Sequence, residues 1–282
     1  MIGTRIASRW QGQTLVIPTL HRKGLAIGAA LGPALGVEIK ELPIDTDRFG
    51  TFSMTVPRPE GALAALSAKV SAALKAHADV QIVVASEGSF GPHPSIPWLS
   101  VNLEYLRWHE ARSGFELTVS SISLRPMHLT QRLTRLSELD GLLERFRFPA
   151  HGLMVAAPES LISAHTAITN TQALRDAVAI TLKRHGAAEL RSELRAHLNP
   201  TRMRHIERAA WRLANRLRSA CPACAAPGFG EPVPMRGRPC AACGFPSSES
   251  LGRRWRCLCC AHQIDRLIPG YASPLRCPLC NP

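Results

Sequence analysis

The sequence predicts an α/β fold, a mixed sheet flanked by helices, followed by a small cysteine-rich module. Three observations predict it. Residues 14–39 read as strand, helix, strand, the pattern of a parallel crossover. The apolar run Ile82 to Ala85 reads as a buried strand that delivers Glu87 into a Gly- and Pro-rich segment. All nine cysteines lie between Cys221 and Cys280, eight of them in short pairs. The expected domains are 1–128, an α/β ligand-site domain; 129–219, a helical and α/β extension ending in a basic helix; and 220–282, the cysteine module.

The chain has 282 residues, of which 45% are apolar and only 5% aromatic, so its core must be built mainly from Leu, Ala, Val and Ile. No apolar run approaches the roughly 18 residues that span a bilayer. The first residues, MIGTRIASRWQGQ, lack the apolar stretch of a signal peptide. The expectation is a cytoplasmic protein with no membrane partner. The formal net charge of +13 is uneven: +2 over residues 1–169 and +11 over 170–282. A basic C-terminal half points to a nucleic-acid partner. If eight thiolates there hold two zinc ions, its charge falls to about +7, which weakens that pointer.

In chain order, residues 14–19 form the first strand, and an Ala/Leu-rich helix runs to Leu35 with a kink at Gly32-Pro33. Gly36 is a C-cap candidate, and Val37–Ile39 resume as strand. The first turn sets His21 and Lys23 at a helix N-terminus, where backbone N–H groups favour anions. Asp45 and Asp47 precede a glycine turn and are candidate oxygen ligands for Mg²⁺, although Asp and Gly are also common turn residues. Glu60 to His77 is a helix with Leu63, Leu66, Val70 and Leu74 inward and Lys69 off that stripe.

The strand Val80–Ala85 follows, with Glu87, Gly88, Ser89, Phe90 and His93 in the loop beyond it. An acid and glycines placed after a strand make a ligand site in open α/β sheets. Residues 98–108 and 115–124 read as two strands around the turn 111–114. Met127 to Phe146 has apolar residues at helical spacing and is expected as one long helix. Gly152–Ala156 is a short strand, Asn170–His185 a helix capped by Asn170 and stopped by Gly186, and Ala188–Leu194 a strand. Asn199-Pro200 marks a helix start. That helix carries Arg204, Arg208, Arg212 and Arg216 every four residues, a stripe that can track a phosphate backbone but is more often a solvated face.

Four CxxC knuckles follow: Cys221/Cys224, Cys240/Cys243, Cys257/Cys260 and Cys277/Cys280. A knuckle offers two thiolates to one metal, and two knuckles complete a tetrahedral site, so eight ligands predict two structural Zn²⁺ ions in a double zinc ribbon. Consecutive and nested pairing are both compatible with the spacing. Cys259 is left over.

These segments resemble a bacterial family of unknown function. Its members look like a strand with a His-x-Lys turn, then TDxFGTF, ASEGSFGPHP, RAHxNPTRM and knuckles ending in CNP. Here those are His21/Lys23, Thr46–Phe52, Ala85–Pro94, Arg195–Met203 and Cys280-Asn281-Pro282. The resemblance covers most of the chain and implies a shared architecture without an activity. It adds Thr51 and Arg58 to the expected ligand contacts. The family turn reads HGKE, whereas Arg22 and Gly24 stand here for its Gly and Glu. A weaker likeness is to the inosine triphosphate pyrophosphatase fold, with Thr19, Lys23, Lys69 and Glu87 in matching order.

Three functions are open at this point. One is metal-assisted hydrolysis of a nucleotide or other phosphate ester, with Lys23 and Lys69 neutralising phosphate, Glu87 and Asp47 on metal and water, and His93 as acid. The second is a nucleic-acid-binding ribbon using the arginine stripe and Arg253-Arg254-Trp255-Arg256. The third is a non-catalytic ligand sensor or protein-docking module.

Overall fold

The computed structural model describes residues 8–45, 61–77, 79–93, 95–160 and 165–282. The chain divides into two units, Gln11–Leu213 and Met1–Trp10 with Ala214–Pro282.

The first sheet of the larger unit holds β1 (Thr14–Pro18), β2 (Glu38–Leu42), β3 (Ile82–His93), β4 (Ile96–Glu110) and β5 (Phe115–Ser123), in the order β2-β1-β3-β4-β5. β1 is parallel to β2 and β3, and β3, β4 and β5 are antiparallel. The sheet is therefore mixed, as expected.

Helix α1 (Gly24–Leu35) connects β1 to β2 on one side, and the chain then returns through α2 (Gly61–Ala76) to β3 on the other side of β1. The winding direction reverses between β1 and β3, and ligands of open α/β sheets bind outside the carboxyl ends of strands at such a reversal.

The two helices cover opposite faces. On α1, a Cβ at Gly28 would stand 3.0 Å from Ile39, which shares a face with its register partner Leu15. On α2, Leu66, Val70 and Ala73 pack with Val16, Val83 and Ala85, whose side chains alternate onto the other face. Gly36 ends α1 with φ 68°, so its C-cap role holds.

β3 departs from expectation. The segment from Glu87 to His93 is not a loop but the second half of a 12-residue strand, paired with β4 in register from Ile82↔Glu110 to Pro92↔Ser100. Gly and Pro weaken a strand locally, but continuous pairing along one partner outweighs them. Lys69 also departs: it is buried, because its ammonium meets a carboxylate of β3. Leu63, expected inward, is exposed.

A second sheet, β6-β9-β7-β8, comprises β6 (Thr130–Leu133), β7 (Leu153–Ala156), β8 (His165–Ile168) and β9 (Ala188–Ser192). The expected long helix over Met127–Phe146 is absent. β6 and two short 3-10 turns, Leu136–Glu138 and Asp140–Leu142, occupy that span. Its leucines do face a core, with Leu133, Leu139 and Phe146 packing against Leu153, Val155, Leu174 and Val178. β6 takes its backbone partners from β9, so tertiary pairing replaces the helical ladder. Helix α3 (Thr171–His185) starts where Asn170 Oδ1 accepts the Ala173 N–H at 2.8 Å and stops at Gly186, φ 72°. Helix α4 (Pro200–Leu217) starts after Asn199.

In the smaller unit β10 (Val233–Arg236), β11 (Ser250–Arg256) and β12 (Gln263–Leu267) form an antiparallel sheet in chain order, alongside two groups of four cysteines. Among the described residues, no helix is long and apolar enough to cross a membrane.

Candidate functional site

The reversal point between β1 and β3 gathers charge. The register Leu15↔Ile82, Val16↔Val83 sets Pro18 beside Ala85, so β3 runs on past the end of β1 from Ser86. Ser86 and Gly88 present to the α1 face and Glu87 to the α2 face. Lys23, at the N-cap of α1, donates from Nζ to Ser86 Oγ at 3.0 Å. Lys69 comes from α2 on the opposite face, donating to the Ser86 carbonyl at 3.2 Å and forming a salt bridge with Glu87 Oε2.

The third cation comes from α4. Arg202 Nε donates to Glu104 Oε1 at 2.7 Å, and Nη1 to the Leu194 carbonyl at 2.6 Å. The pair lies directly over Gly88, where a Cβ would stand 2.4 Å from Arg202 Nη2 and 2.7 Å from Glu104 Oε1. Gly88 is the residue that lets a guanidinium lie against the strand.

Arg202 is aimed by its surroundings. Asn199 Oδ1 accepts the Arg202 N–H at 3.0 Å, while Asn199 Nδ2 donates to the carbonyls of Glu193 at 2.9 Å and Met127 at 3.2 Å. That cap ties the start of α4 to the segment between β5 and β6 and to the residue that follows β9. Glu104 also accepts from Asn102 Nδ2 at 3.0 Å. Asn102 Oδ1 lies 2.8 Å from His205 Nδ1, and His205 Nε2 lies 2.9 Å from Ser123 Oγ. An amide oxygen only accepts, so Nδ1 carries the proton and Nε2 receives the serine hydroxyl.

Three cations and two carboxylates are thus buried together: Lys23, Lys69, Arg202, Glu87 and Glu104. Burial first, then the neighbouring charges of Lys69 and Arg202, lower the Lys23 ammonium from 10.5 to about 7, against the pull of Glu87 and Glu104. Burial, followed by Lys23, lowers His21 to about 3, so its imidazole is neutral at ordinary pH.

The expected site residues fall into three groups. Lys23, Lys69, Glu87 and Gly88 meet as described. Around them, His21 donates its backbone N–H to Thr19 Oγ1 at 2.9 Å, and its ring stacks on the exposed His197 at 5.1 Å between ring centroids. The Ser89 carbonyl accepts from Asn102 Nδ2 at 3.4 Å, and Phe90 meets His128 edge-on, with the Arg202 guanidinium 5.9 Å from its centroid.

His93 is apart. It stands six residues beyond Glu87 on the same strand, about 20 Å away at strand rise, where Nδ1 accepts the Ser95 N–H at 3.1 Å. Asp45 is exposed after β2. Asp47, Thr51 and Arg58 lie outside the described residues. The α1 N-terminus already holds an anion, since the Gly24 N–H donates to Glu41 Oε1 at 2.5 Å.

Sequence reasoning missed Ser86, Asn102, Glu104, Arg202 and His205. The alternation in β4, where Asn102 and Glu104 continue the inward row of Leu106 and Trp108, was the available signal for two of them. Arg202 lies inside the motif segment 195–203.

The cysteines form two groups, Cys221, Cys224, Cys257 and Cys260, and Cys240, Cys243, Cys277 and Cys280, with all Sγ atoms of a group within 4.8 Å. The pairing is first knuckle with third and second with fourth, so neither the consecutive nor the nested arrangement is the one formed. Sγ–Sγ separations of 3.6 Å (Cys224–Cys257 and Cys243–Cys277) and 3.9 Å (Cys221–Cys260 and Cys240–Cys280) match the edges of about 3.8 Å that a tetrahedron with metal–sulfur bonds near 2.3 Å requires. The donor set therefore fits a closed structural metal site. Backbone N–H groups of Ala242 and Cys259 donate to Cys240 Sγ at 3.4 Å and Cys257 Sγ at 3.3 Å, the bonding that suits thiolates. Cys259 belongs to neither group.

Arg204, Arg208 and Arg212 are exposed on α4, and Arg212 donates to the Ser120 carbonyl at 2.7 Å. Arg216 is instead occupied, 3.0 Å from Glu231 and 2.5 Å from the Gly228 carbonyl. Trp255 is half-buried, with Arg266 5.4 Å from its ring centroid.

A family model described as a domain of unknown function (DUF6671) matches residues 69–282. The match takes in Lys69, Glu87, Glu104, Arg202 and both cysteine groups; His21 and Lys23 precede it. No curated protein matches the chain.

Proposed function

The chain belongs to the DUF6671 family, whose description names no activity, and from that premise we propose that it is a zinc-ribbon protein whose first sheet binds a phosphate-bearing small molecule and hydrolyses it. One observation carries this reading: among the described residues, Lys23, Lys69 and Arg202 are buried around Ser86–Gly88 together with two carboxylates, Glu87 and Glu104. With Lys23 protonated the cluster carries an excess of positive charge, which is costly when buried and is relieved by a bound anion or by loss of the Lys23 proton. Phosphate offers several oxygens to such a cluster, and hydrolysis would draw on the same cations as negative charge develops. Glu87 is engaged by Lys69, so Mg²⁺ at that carboxylate would have to displace a buried ion pair. This favours recognition of phosphate by cations over recognition of a metal ion by Glu87. Four thiolates per site support zinc as the ion of the cysteine groups, held for structure, because no coordination position is left for water.

The test is calorimetric titration of the metal-loaded chain with nucleoside mono- and triphosphates and sugar phosphates, alongside phosphate release. Binding that Lys69→Met weakens about tenfold or more is expected, the loss typical of one charged hydrogen bond. Binding without turnover would identify a ligand sensor. Failure of all these compounds to bind would remove the reading.

A second reading has one observation of its own. In the ribbon sheet, Arg253 and Trp255 on β11 share a face with their register partners Arg266 and Ile264 on β12. A half-buried indole flanked by two guanidiniums suits base stacking on single-stranded nucleic acid. A gel shift that falls steeply with salt and is lost on Trp255→Ala would support it.

A further inference from the structure

The buried pair Lys23–Ser86 has a chemistry that phosphate binding does not require. Lys23 Nζ and Ser86 Oγ are 3.0 Å apart, the range of a nucleophile and its base. Ser86 is 2% exposed and Lys23 5%, so the pair is buried in the free chain. Ser86 lies on the strand face of Gly88, and a Cβ at Gly88 would stand 2.4 Å from Arg202 Nη2. The guanidinium thus lies about one same-face step, roughly 7 Å, from the serine. On the other face Lys69 holds the Ser86 carbonyl at 3.2 Å, fixing the backbone that carries the hydroxyl.

We propose that Ser86 is the nucleophile of this site and Lys23 its base, so that phosphoryl transfer passes through a covalent Ser86 intermediate. The identity of the transferred group rests on the phosphate reading above; the nucleophile rests on the Lys23–Ser86 geometry. In the first step Ser86 Oγ gives its proton to Lys23 Nζ and bonds to phosphorus. The bond from phosphorus to the leaving oxygen breaks, and the leaving alcohol takes the proton from Lys23. In the second, water gives a proton to Lys23 and attacks phosphorus, the P–Oγ bond breaks, Ser86 recovers the proton, and inorganic phosphate departs. The sum is one phosphate ester and one water to one alcohol and one phosphate, with no oxidant or reductant. Arg202 and Lys69 meet the charge that builds on the non-bridging oxygens.

The base must be a neutral amine. The groups bearing on Lys23 are Lys69 and Arg202, which disfavour its proton, and Glu87 and Glu104, which favour it; with burial, the balance brings it to about 7. His21 stays neutral across the relevant range.

The test uses an uncharged alkyl fluorophosphonate on the full metal-loaded chain, read by intact mass and peptide mapping. Ser86 displaces fluoride and keeps the phosphonyl group. An adduct at Ser86 is expected, with a labelling rate that rises through about pH 7 and levels off as Lys23 loses its proton. Ser86→Ala should abolish the adduct. Lys23→Arg keeps the charge but not the base, and should slow labelling at least a hundredfold, within the usual range for loss of a general base. The pH profile of the unmutated chain keeps the test decisive if Lys23→Arg fails to fold.

No adduct at Ser86, a rate indifferent to pH, or full labelling in folded Lys23→Arg overturns the assignment. Phosphates that bind while Ser86 stays unlabelled keep the anion site and remove the nucleophile. Labelling of Ser86 in a chain that binds no phosphate keeps the nucleophile and overturns its role in phosphoryl transfer.

Discussion

Arg202 and Glu104, 98 residues apart, form a buried ion pair in which Nε meets Oε1 at 2.7 Å above a glycine. The pair clamps α4 onto the first sheet at the point where the other site cations arrive. Removing one partner strands a buried charge, so Glu104→Gln should cost about 3–5 kcal/mol, measured by urea unfolding. Replacing both, Arg202→Met with Glu104→Leu, should recover much of that loss, because neither charge is then left uncompensated.

Gly88 and Gly91 sit three positions apart on β3 and should respond to Ala to very different extents. At Gly88 the new methyl meets Arg202 and Glu104, whereas at Gly91 nothing lies within 4 Å. Gly88→Ala is expected to lose about 1–3 kcal/mol through overpacking, and Gly91→Ala to change stability by at most about 0.5 kcal/mol in the unfavourable direction. Thermal midpoints of the two variants decide this.

The lysine of the Lys23–Ser86 pair should leave a signature in the pH dependence of stability. Its folded pKa, about 7, lies below the unfolded value of 10.5. Between those limits the unfolded chain binds the extra proton, so stability attributable to this group rises with pH from about 7 toward 10. Urea midpoints at pH 7, 8 and 9 should climb more steeply for the unmutated chain than for Lys23→Met.

Metal stoichiometry tests the knuckle pairing. Cys224→Ser with Cys257→Ser should lose one of the two ions, since both cysteines serve one group. Cys224→Ser with Cys243→Ser should lose both. Consecutive pairing would give the reverse, and elemental analysis of purified protein distinguishes the two.

The residue after the second cysteine of a knuckle takes a left-handed conformation in the first two knuckles, Ala225 at φ 58° and Gly244 at φ 71°. A Cβ is unfavourable there. Ala225→Gly should stabilise the module by about 0.5–1 kcal/mol and Gly244→Ala should destabilise it by a similar amount, read as resistance to metal removal by a chelator.

What was legible in the sequence was local. Asn170, Gly36, Gly186 and the Asn199-Pro200 start each act within one helical turn and behave as their chemistry dictates. The knuckles announced their ligands because a CxxC turn needs nothing distant to present two thiolates. Lys69 was expected in the site with Glu87 and meets it there, but its burial was not legible, because a helical wheel says nothing of a carboxylate on another element. The span Met127–Phe146 misled for a related reason: leucines at helical spacing also serve a short strand followed by tight turns, and only β9 decides between them. Glu104 and Arg202 are each unremarkable alone, and their meaning arises from contact across 98 residues.

Interleaved knuckles also impose an order on biosynthesis. Cys221 waits for Cys260, 39 residues later, and Cys240 for Cys280, 40 residues later. Each span encloses a knuckle that belongs to the other group. A growing polypeptide leaving the ribosome therefore completes neither set of four thiolates until most of the module has emerged, and both sets become able to take a metal ion in close succession.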